Sequence, residues 1–241
     1  MTLVPFLKGS AEHKSKPTQH SVRELQGMGI KPDLIVLRCD EPLEAEIFKK
    51  TALFCNVKED CIFENLTLPI LYEAPLMLER EHFSEVVCRE LHLRAGKPDL
   101  ADWEAMVERI RGRKKTVTIG LVGKYTKLHD AYLSVAEALS HAGYDCGSRI
   151  DIRWIDSETV REDNAAQVLG ACDGIIVPGG FGTRGIDGMV EAARYCREHN
   201  VPFLGICLGM QIAVIEFARN VCGTFRLSYD KYCTWVKLFN S

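Results

Sequence analysis

The sequence predicts an α/β protein in two parts, on three observations. Apolar runs of strand length alternate with helix-period segments from one end to the other, the pattern of parallel sheets covered by helices. A cysteine stands between two glycines where an apolar run meets a helical one, at Gly205-Ile206-Cys207-Leu208-Gly209. The basic run Arg109-Ile110-Arg111-Gly112-Arg113-Lys114-Lys115, broken by a glycine, precedes a fresh strand and reads as a solvated linker between the parts rather than a binding site.

In the first part, residues 1–108, strands are expected at Leu3 to Phe6, Asp33 to Leu37 and Cys61 to Phe63. Helices are expected at Pro17 to Gly27 and Leu43 to Phe54, and the stretch from Tyr72 to Leu91 also has a helical period. A linker is placed at 109–116. The second part, 117–223, has expected strands at 117–122, 149–155, 174–177 and 201–206, each followed by a helix, near 130–142, 158–169, 185–199 and 208–221. That order predicts a doubly wound, flavodoxin-like sheet with ligands at the carboxyl ends of its strands.

At 241 residues and 46% hydrophobic, the chain has enough apolar material for one large α/β domain or two modest ones. Thirty basic against thirty-three acidic residues leave no global positive field, so neither nucleic acid nor an anionic membrane is expected as partner. No apolar run approaches the roughly 18 residues that span a bilayer, and Met1-Thr2-Leu3-Val4-Pro5-Phe6 does not look like a secretory leader. A cytoplasmic protein is expected. Its ten cysteines form no C-x-x-C pair and no set with histidine at zinc spacing, so neither a disulfide framework nor a metal site is expected. Most read as small buried hydrophobes.

Cys207 is different. Gly-x-Cys-x-Gly at a strand-to-helix turn is the nucleophile elbow with cysteine in place of serine. The tight turn needs small neighbours, and a helix N-terminus favours a thiolate over a thiol. One strand earlier, Val177-Pro178-Gly179-Gly180-Phe181-Gly182 ends in glycines, whose backbone N–H groups can turn into a pocket and hold the oxyanion of a tetrahedral intermediate. The competing reading, a buried structural cysteine beside a glycine turn, explains one of these features and not both.

Near the start, Glu12-His13-Lys14-Ser15-Lys16-Pro17-Thr18-Gln19-His20-Ser21-Val22 puts two lysines and two hydroxyls at a helix start, with Pro17 suited to its first turn. The combination suits phosphate. A solvated helix start is the bland alternative.

Gly205 to Gln211, with Pro178 to Gly182, resembles the class I glutamine amidotransferases, in which the cysteine attacks the side-chain amide of glutamine and releases ammonia. Gly123-Lys124-Tyr125, with Asp130-Ala131-Tyr132 and Ser134-Val135, narrows the likeness to the CTP synthase branch. The segment Lys14 to Gln19 is similar to that family's Lys-Thr-Lys-Pro-Thr-Gln motif for UTP and inhibitory CTP, and the likeness continues through residues 30–39 and 50–56. It implies an internal fragment: the C-terminal part of a P-loop-type synthase domain, then a truncated flavodoxin-like class I amidotransferase domain.

On that resemblance Cys207 is the nucleophile, and Gly180, Leu208, Gly209, Met210 and Gln211 meet glutamine. Lys14, Ser15, Lys16, Pro17, Thr18, Gln19 and Lys50 meet UTP or CTP, with Phe54 a lesser candidate near CTP. Leu66, Thr67 and Leu68 fall by position where the family backbone meets the adenine of ATP. The complete family makes CTP from UTP, ATP and glutamine, uses magnesium, and assembles as a homotetramer. Its ATP phosphate loop and magnesium ligands are not found in these 241 residues. Its basic histidine lies downstream of the cysteine, whereas all seven histidines here precede Cys207 and residues 224–241 match no family segment. This chain alone is therefore expected to be inactive. A catalytically incompetent nucleotide-binding or assembly piece of the enzyme is the alternative. A stand-alone cysteine hydrolase is a third reading, but it needs neither the nucleotide segment nor Gly123-Lys124-Tyr125.

Overall fold

The computed structural model describes residues 1–224. The tail expected at 224–241 therefore falls, beyond its first residue, outside the described residues. Two compact units are present, one of Met1–Arg111 and one from Gly112 onward.

In the first unit, strands β1 (Thr2–Leu3), β4 (Ile35–Cys39) and β5 (Ile62–Leu66) form a parallel sheet in the order β1-β4-β5. Ile35, Leu37 and Cys39 alternate inward from β4, and Ile35 and Leu37 meet Val4, Ile47, Phe63 and Val86 in one apolar cluster. The expected strand from Leu3 to Phe6 is broken in two. Val4 N–H still donates to Arg38 C=O at 2.8 Å, but Pro5 has no N–H to continue the ladder. The chain then turns off, and β2 (Phe6–Leu7) pairs antiparallel with β3 (Glu12–His13). Helix α1 (Lys16–Gly27) carries Pro17 in its first turn, and α2 (Ala45–Cys55) ends where Asn56 takes a left-handed conformation.

The helical stretch from Tyr72 to Leu91 is also divided. A 3-10 turn at Leu71–Glu73 leads into α3 (Ala74–Arg80), and His82, at φ 59°, separates it from α4 (Phe83–Glu90). A further helix, α5 (Ala101–Arg111), was not expected. It is anchored by buried Val107 and Ile110 and by Trp103 Nε1–H donating to Tyr72 C=O at 2.6 Å. Since α5 reaches Arg111 and the next strand starts at Lys115, the linker expected at 109–116 shrinks to 112–114. Buried Ile110 and the ion pair of Arg111 with Glu73 at 2.9 Å hold the basic run in the helix.

The second unit is built on β6 (Lys115–Gly123), β7 (Ser148–Asp156), β8 (Gly174–Val177) and β9 (Phe203–Gly205), all parallel in the order β7-β6-β8-β9. The first strand in the chain thus lies between the second and third, as in flavodoxin-like sheets. Adjacent residues Leu121 and Val122 are both fully buried, because helices cover both faces of the sheet. Val122, Val177, Met189, Ile212 and Ile215 fill one side, and Leu121, Tyr132 and Ile176 the other. The helices are α6 (Leu133–Asp145), α7 (Ala165–Leu169), α8 (Ile186–His199) and α9 (Leu208–Asn220). Where one helix was expected at 158–169, only α7 and a 3-10 turn at Ser157–Thr159 form. Asp156 Oδ1 accepts from Glu158 N–H at 3.0 Å, and Asn164 bonds both Arg161 N–H and Thr159 C=O, so local side-chain bonds replace helical ones. No helix of the described residues is long and apolar enough to cross a membrane.

Candidate active site

The carboxyl ends of β8 and β9 bring the cysteine and the glycine loop together. Cys207 sits between β9 and α9 at φ 53° and ψ −100°, a strained backbone for any residue with a side chain. The turn is pinned by Ile206 N–H to Val177 C=O at 2.9 Å and by Gln211 N–H to Cys207 C=O at 3.2 Å. Its flanking glycines are steric necessities. A Cβ on Gly209 would stand 2.0 Å from Val177 O, and one on Gly205 would stand 2.3 Å from the Gly209 backbone.

Across the turn, a Cβ on Gly179 would lie 3.7 Å from Cys207 Cβ, so the glycine loop and the cysteine lie side by side. Cys207 is exposed, while Leu208 and Gly209 beneath it are buried in the core, Met210 is exposed and Gln211 half-buried. Of the residues expected at the glutamine pocket, Leu208 has its side chain against Gly180 and the core. A Cβ on Gly180 would meet Leu208 Cδ2 at 3.3 Å.

One residue of this site was quoted from the sequence without a role. Lys124, at the end of β6, is 4% exposed, and its ammonium donates to Phe181 C=O at 3.1 Å and to Gly182 C=O. Desolvation, then the nearby Arg184 charge, pushes its pKa below the ordinary lysine value. Its own peptide is fixed at both ends: the N–H donates to Tyr132 Oη at 3.0 Å, and the C=O accepts from Arg184 at 2.6 Å. Gly123 leaves room for that tyrosine, since a Cβ there would stand 2.7 Å from Tyr132 Oη. The signal in the sequence was a lysine directly after a buried strand, where a solvated side chain is the rule.

The three described histidines of this unit are occupied elsewhere, His141 beside Glu137 and Tyr144 on α6. His129 stacks on Trp154 at 4.2 Å, and His199 bonds Tyr195 C=O through Nδ1 at 3.0 Å.

In the first unit, the candidate nucleotide residues gather around the start of α1. Gln19 Nε2 donates to Ser15 Oγ at 3.2 Å, and Lys14 is ion-paired with Glu12. Hydrogen bonds from Lys14 and then Ser10 hold the Glu12 carboxyl below the usual carboxylate range. Lys50 is paired with Glu46 at 2.9 Å. His13 is buried and joins this loop to the start of α2 through Glu44 at 2.9 Å. Thr18 is turned inward: it is fully buried, and its hydroxyl bonds Thr2 Oγ1 at 3.0 Å and Leu3 C=O at 3.5 Å, so its side chain ties α1 to β1. Lys16 and Pro17 are exposed on the first turn, and Phe54 is exposed on α2.

At the carboxyl end of β5, Leu66 and Leu68 are half-buried. Thr67 N–H donates to Cys39 C=O at 2.9 Å, and its hydroxyl donates to Asp40 Oδ1 at 2.5 Å. Among the described residues no set of three or more His, Cys, Asp or Glu side chains is arranged to hold a metal ion.

A cysteine at a strained strand-to-helix turn, beside a glycine loop in a flavodoxin-like sheet, has the backbone arrangement of a nucleophile elbow, the class of turn that class I glutamine amidotransferases share. Residues 127–233 match the family model for glutamine amidotransferase class-I, and residues 1–93 match that for the CTP synthase N-terminus. The latter supports a synthase domain but names its N-terminus, which corrects the expectation of a C-terminal part. The chain is 56% identical over 223 residues to CTP synthase of Pelotomaculum thermopropionicum, covering 92% of this chain and 42% of that protein. It is 53% identical, with the same coverage, to CTP synthase of Ruminiclostridium cellulolyticum, and 52% identical over 222 residues to that of Geobacillus kaustophilus. The chain thus spans about two fifths of the length of these relatives. A solved structure described as the glutaminase domain of Trypanosoma brucei CTPS with bound acivicin is 47% identical, covers 44% of this chain and 42% of that one, and has a TM-score of 0.42.

Proposed function

We propose that this chain carries the thiol half-site of a glutamine amidase and a pyrimidine-nucleotide site, as parts of an enzyme that makes CTP from UTP, ATP and glutamine. The observation that carries the first claim is Cys207 held at φ 53° with the Gly179–Gly180 loop against it. The sulfur bonds to the side-chain amide carbon of glutamine while the carbonyl electrons move onto oxygen, where loop N–H groups stabilise them. As those electrons return, the C–N bond breaks. The proton given up by the thiol goes to nitrogen, ammonia leaves, and water then cleaves the γ-glutamyl thioester to glutamate.

Gly180 is proposed as an oxyanion donor, with Met210 and Gln211 beside the substrate and Leu208 and Gly209 supporting them from below. Lys14 to Gln19 and Lys50 are proposed to hold UTP or CTP, and Leu66 to Leu68 to meet the adenine of ATP through backbone. ATP and magnesium belong to the complete enzyme on this reading, as do cytoplasmic location and a homotetramer. No histidine follows Cys207 in these 241 residues, which favours a second reading for the chain as given: it binds nucleotide and acylates but does not turn over.

An activated acyl donor tests the half-site separately. The γ-p-nitrophenyl ester of glutamate releases nitrophenolate, which needs no proton to leave. The expected result is one equivalent of nitrophenolate per chain and a γ-glutamyl adduct on Cys207 by mass spectrometry, both lost in Cys207→Ala. A burst that survives in Cys207→Ala, or none in the parent chain, overturns the assignment.

A further inference from the structure

We infer that Lys124 is a positioning residue for acyl transfer, which holds the glycine loop in the shape that receives the oxyanion. The inference rests on the reading of Cys207 as the nucleophile.

The geometry leaves the side chain little other use. Lys124 is buried, and its ammonium is spent on two successive carbonyls, Phe181 and Gly182, immediately after the candidate donor Gly180. Two neighbouring carbonyls point at one cation only if the peptide planes between them rotate, and Gly182 supplies that rotation with φ 74°. The methylenes of Lys124 also run beneath the loop: a Cβ on Gly180 would meet its Cδ at 3.5 Å and Cε at 3.6 Å. Among the described residues no carboxylate pairs with the ammonium. A buried ammonium costs stability unless bonded, so the loop carbonyls are its compensation and it is their anchor. The two peptides so held, Phe181–Gly182 and Gly182–Thr183, directly follow Gly180, so the lysine fixes the chain on which that donor is carried, while Gly179 stays against Cys207. The lysine itself is held by Tyr132 and Arg184, so β6 and the segment after β8 act as one rigid frame for the loop.

Two electrophiles separate this role from a general one. The glutamate γ-p-nitrophenyl ester builds an oxyanion as it acylates Cys207, whereas iodoacetamide alkylates the thiol by displacement and builds none. In Lys124→Met, which keeps the methylenes and removes the donors, the ester burst should slow by at least about tenfold, in line with loss of oxyanion stabilisation. Iodoacetamide labelling of Cys207 should stay within about twofold. Lys124→Arg, which restores donors, should recover part of the ester rate.

Equal slowing with both reagents would mean that the residue only supports the fold, and an unchanged ester rate would mean that the loop holds itself; either overturns the inference. No burst in the parent chain would instead remove the acyl-transfer reading and the inference with it. If Lys124→Met does not fold, graded acetylation of the parent chain decides. Loss of the ester burst should track modification of Lys124, and a burst undiminished after Lys124 is acetylated overturns the role.

Discussion

The nine cysteines that the structure describes differ sharply in what surrounds each thiol. Burial, reinforced at Cys39 by the Glu64 carboxylate, pushes the Cys39 thiol up to about 12, and burial with the neighbouring Cys172 pushes Cys196 to about 12. A thiol with a raised pKa stays neutral until the pH climbs through that value, so at pH 9 about one in a thousand of these is ionised, whereas an ordinary thiol near 8.5 is mostly thiolate. Cys146, Cys207 and Cys222 are exposed, and Cys207 alone of them begins a helix beside a glycine loop. Limiting iodoacetamide at neutral pH should therefore label Cys207 first, ahead of Cys146 and Cys222. Cys39 and Cys196 should label only above about pH 11 or on unfolding. Peptide mapping that finds Cys39 or Cys196 labelled as fast as Cys207 would refute this order. The elbow was legible in the sequence because its demands are local, two glycines and a turn within five residues. Lys124 was not, because the carbonyls that it holds lie 57 and 58 residues further along the chain.

At the scale of elements, the elbow has no slack. A methyl on Gly209 would have to pass through the Val177 carbonyl 2.0 Å away, and that carbonyl already accepts the Ile206 N–H that closes the turn. Gly209→Ala should therefore cost about 2 kcal/mol or more of stability, as overpacking against backbone does. Thermal unfolding followed by circular dichroism checks this, and an unchanged midpoint would show that α9 can slide outward freely. The strands of the second unit were readable to within a residue or two because β8 and the end of β6 are apolar runs buried on both faces, while β7 alternates Ile150, Ile152 and Trp154 with exposed Arg149, Asp151 and Arg153. The helices were less so. Asn164 and Asp156 divert the backbone of 157–164 into local bonds, and the period of Trp103, Val107 and Ile110 was hidden by the basic run beside it.

For the whole molecule, the charged groups near α1 predict how nucleotide binds. Lys14 and Lys50 already have carboxylate neighbours in Glu12 and Glu46, and Lys16 is exposed, so any affinity for UTP should be weak and should fall as salt rises. Lys16→Ala should weaken it further, and UTP-dependent NMR line broadening that is unchanged in that variant would refute the assignment. Sheet order in the second unit followed from strand–helix alternation, whereas the division of β1 from β2 depended on one proline. The same sheet order has a colloidal consequence. Among the described residues β9 is paired only with β8, Leu204 within it and Ile206 just after it are exposed, and α9, which packs on β9, also exposes Met210, Val214 and Phe217. An open strand edge with apolar neighbours is a template for other chains. Purified at rising concentration, this chain should scatter light increasingly, and Leu204→Lys should keep it dispersed without altering the acylation of Cys207.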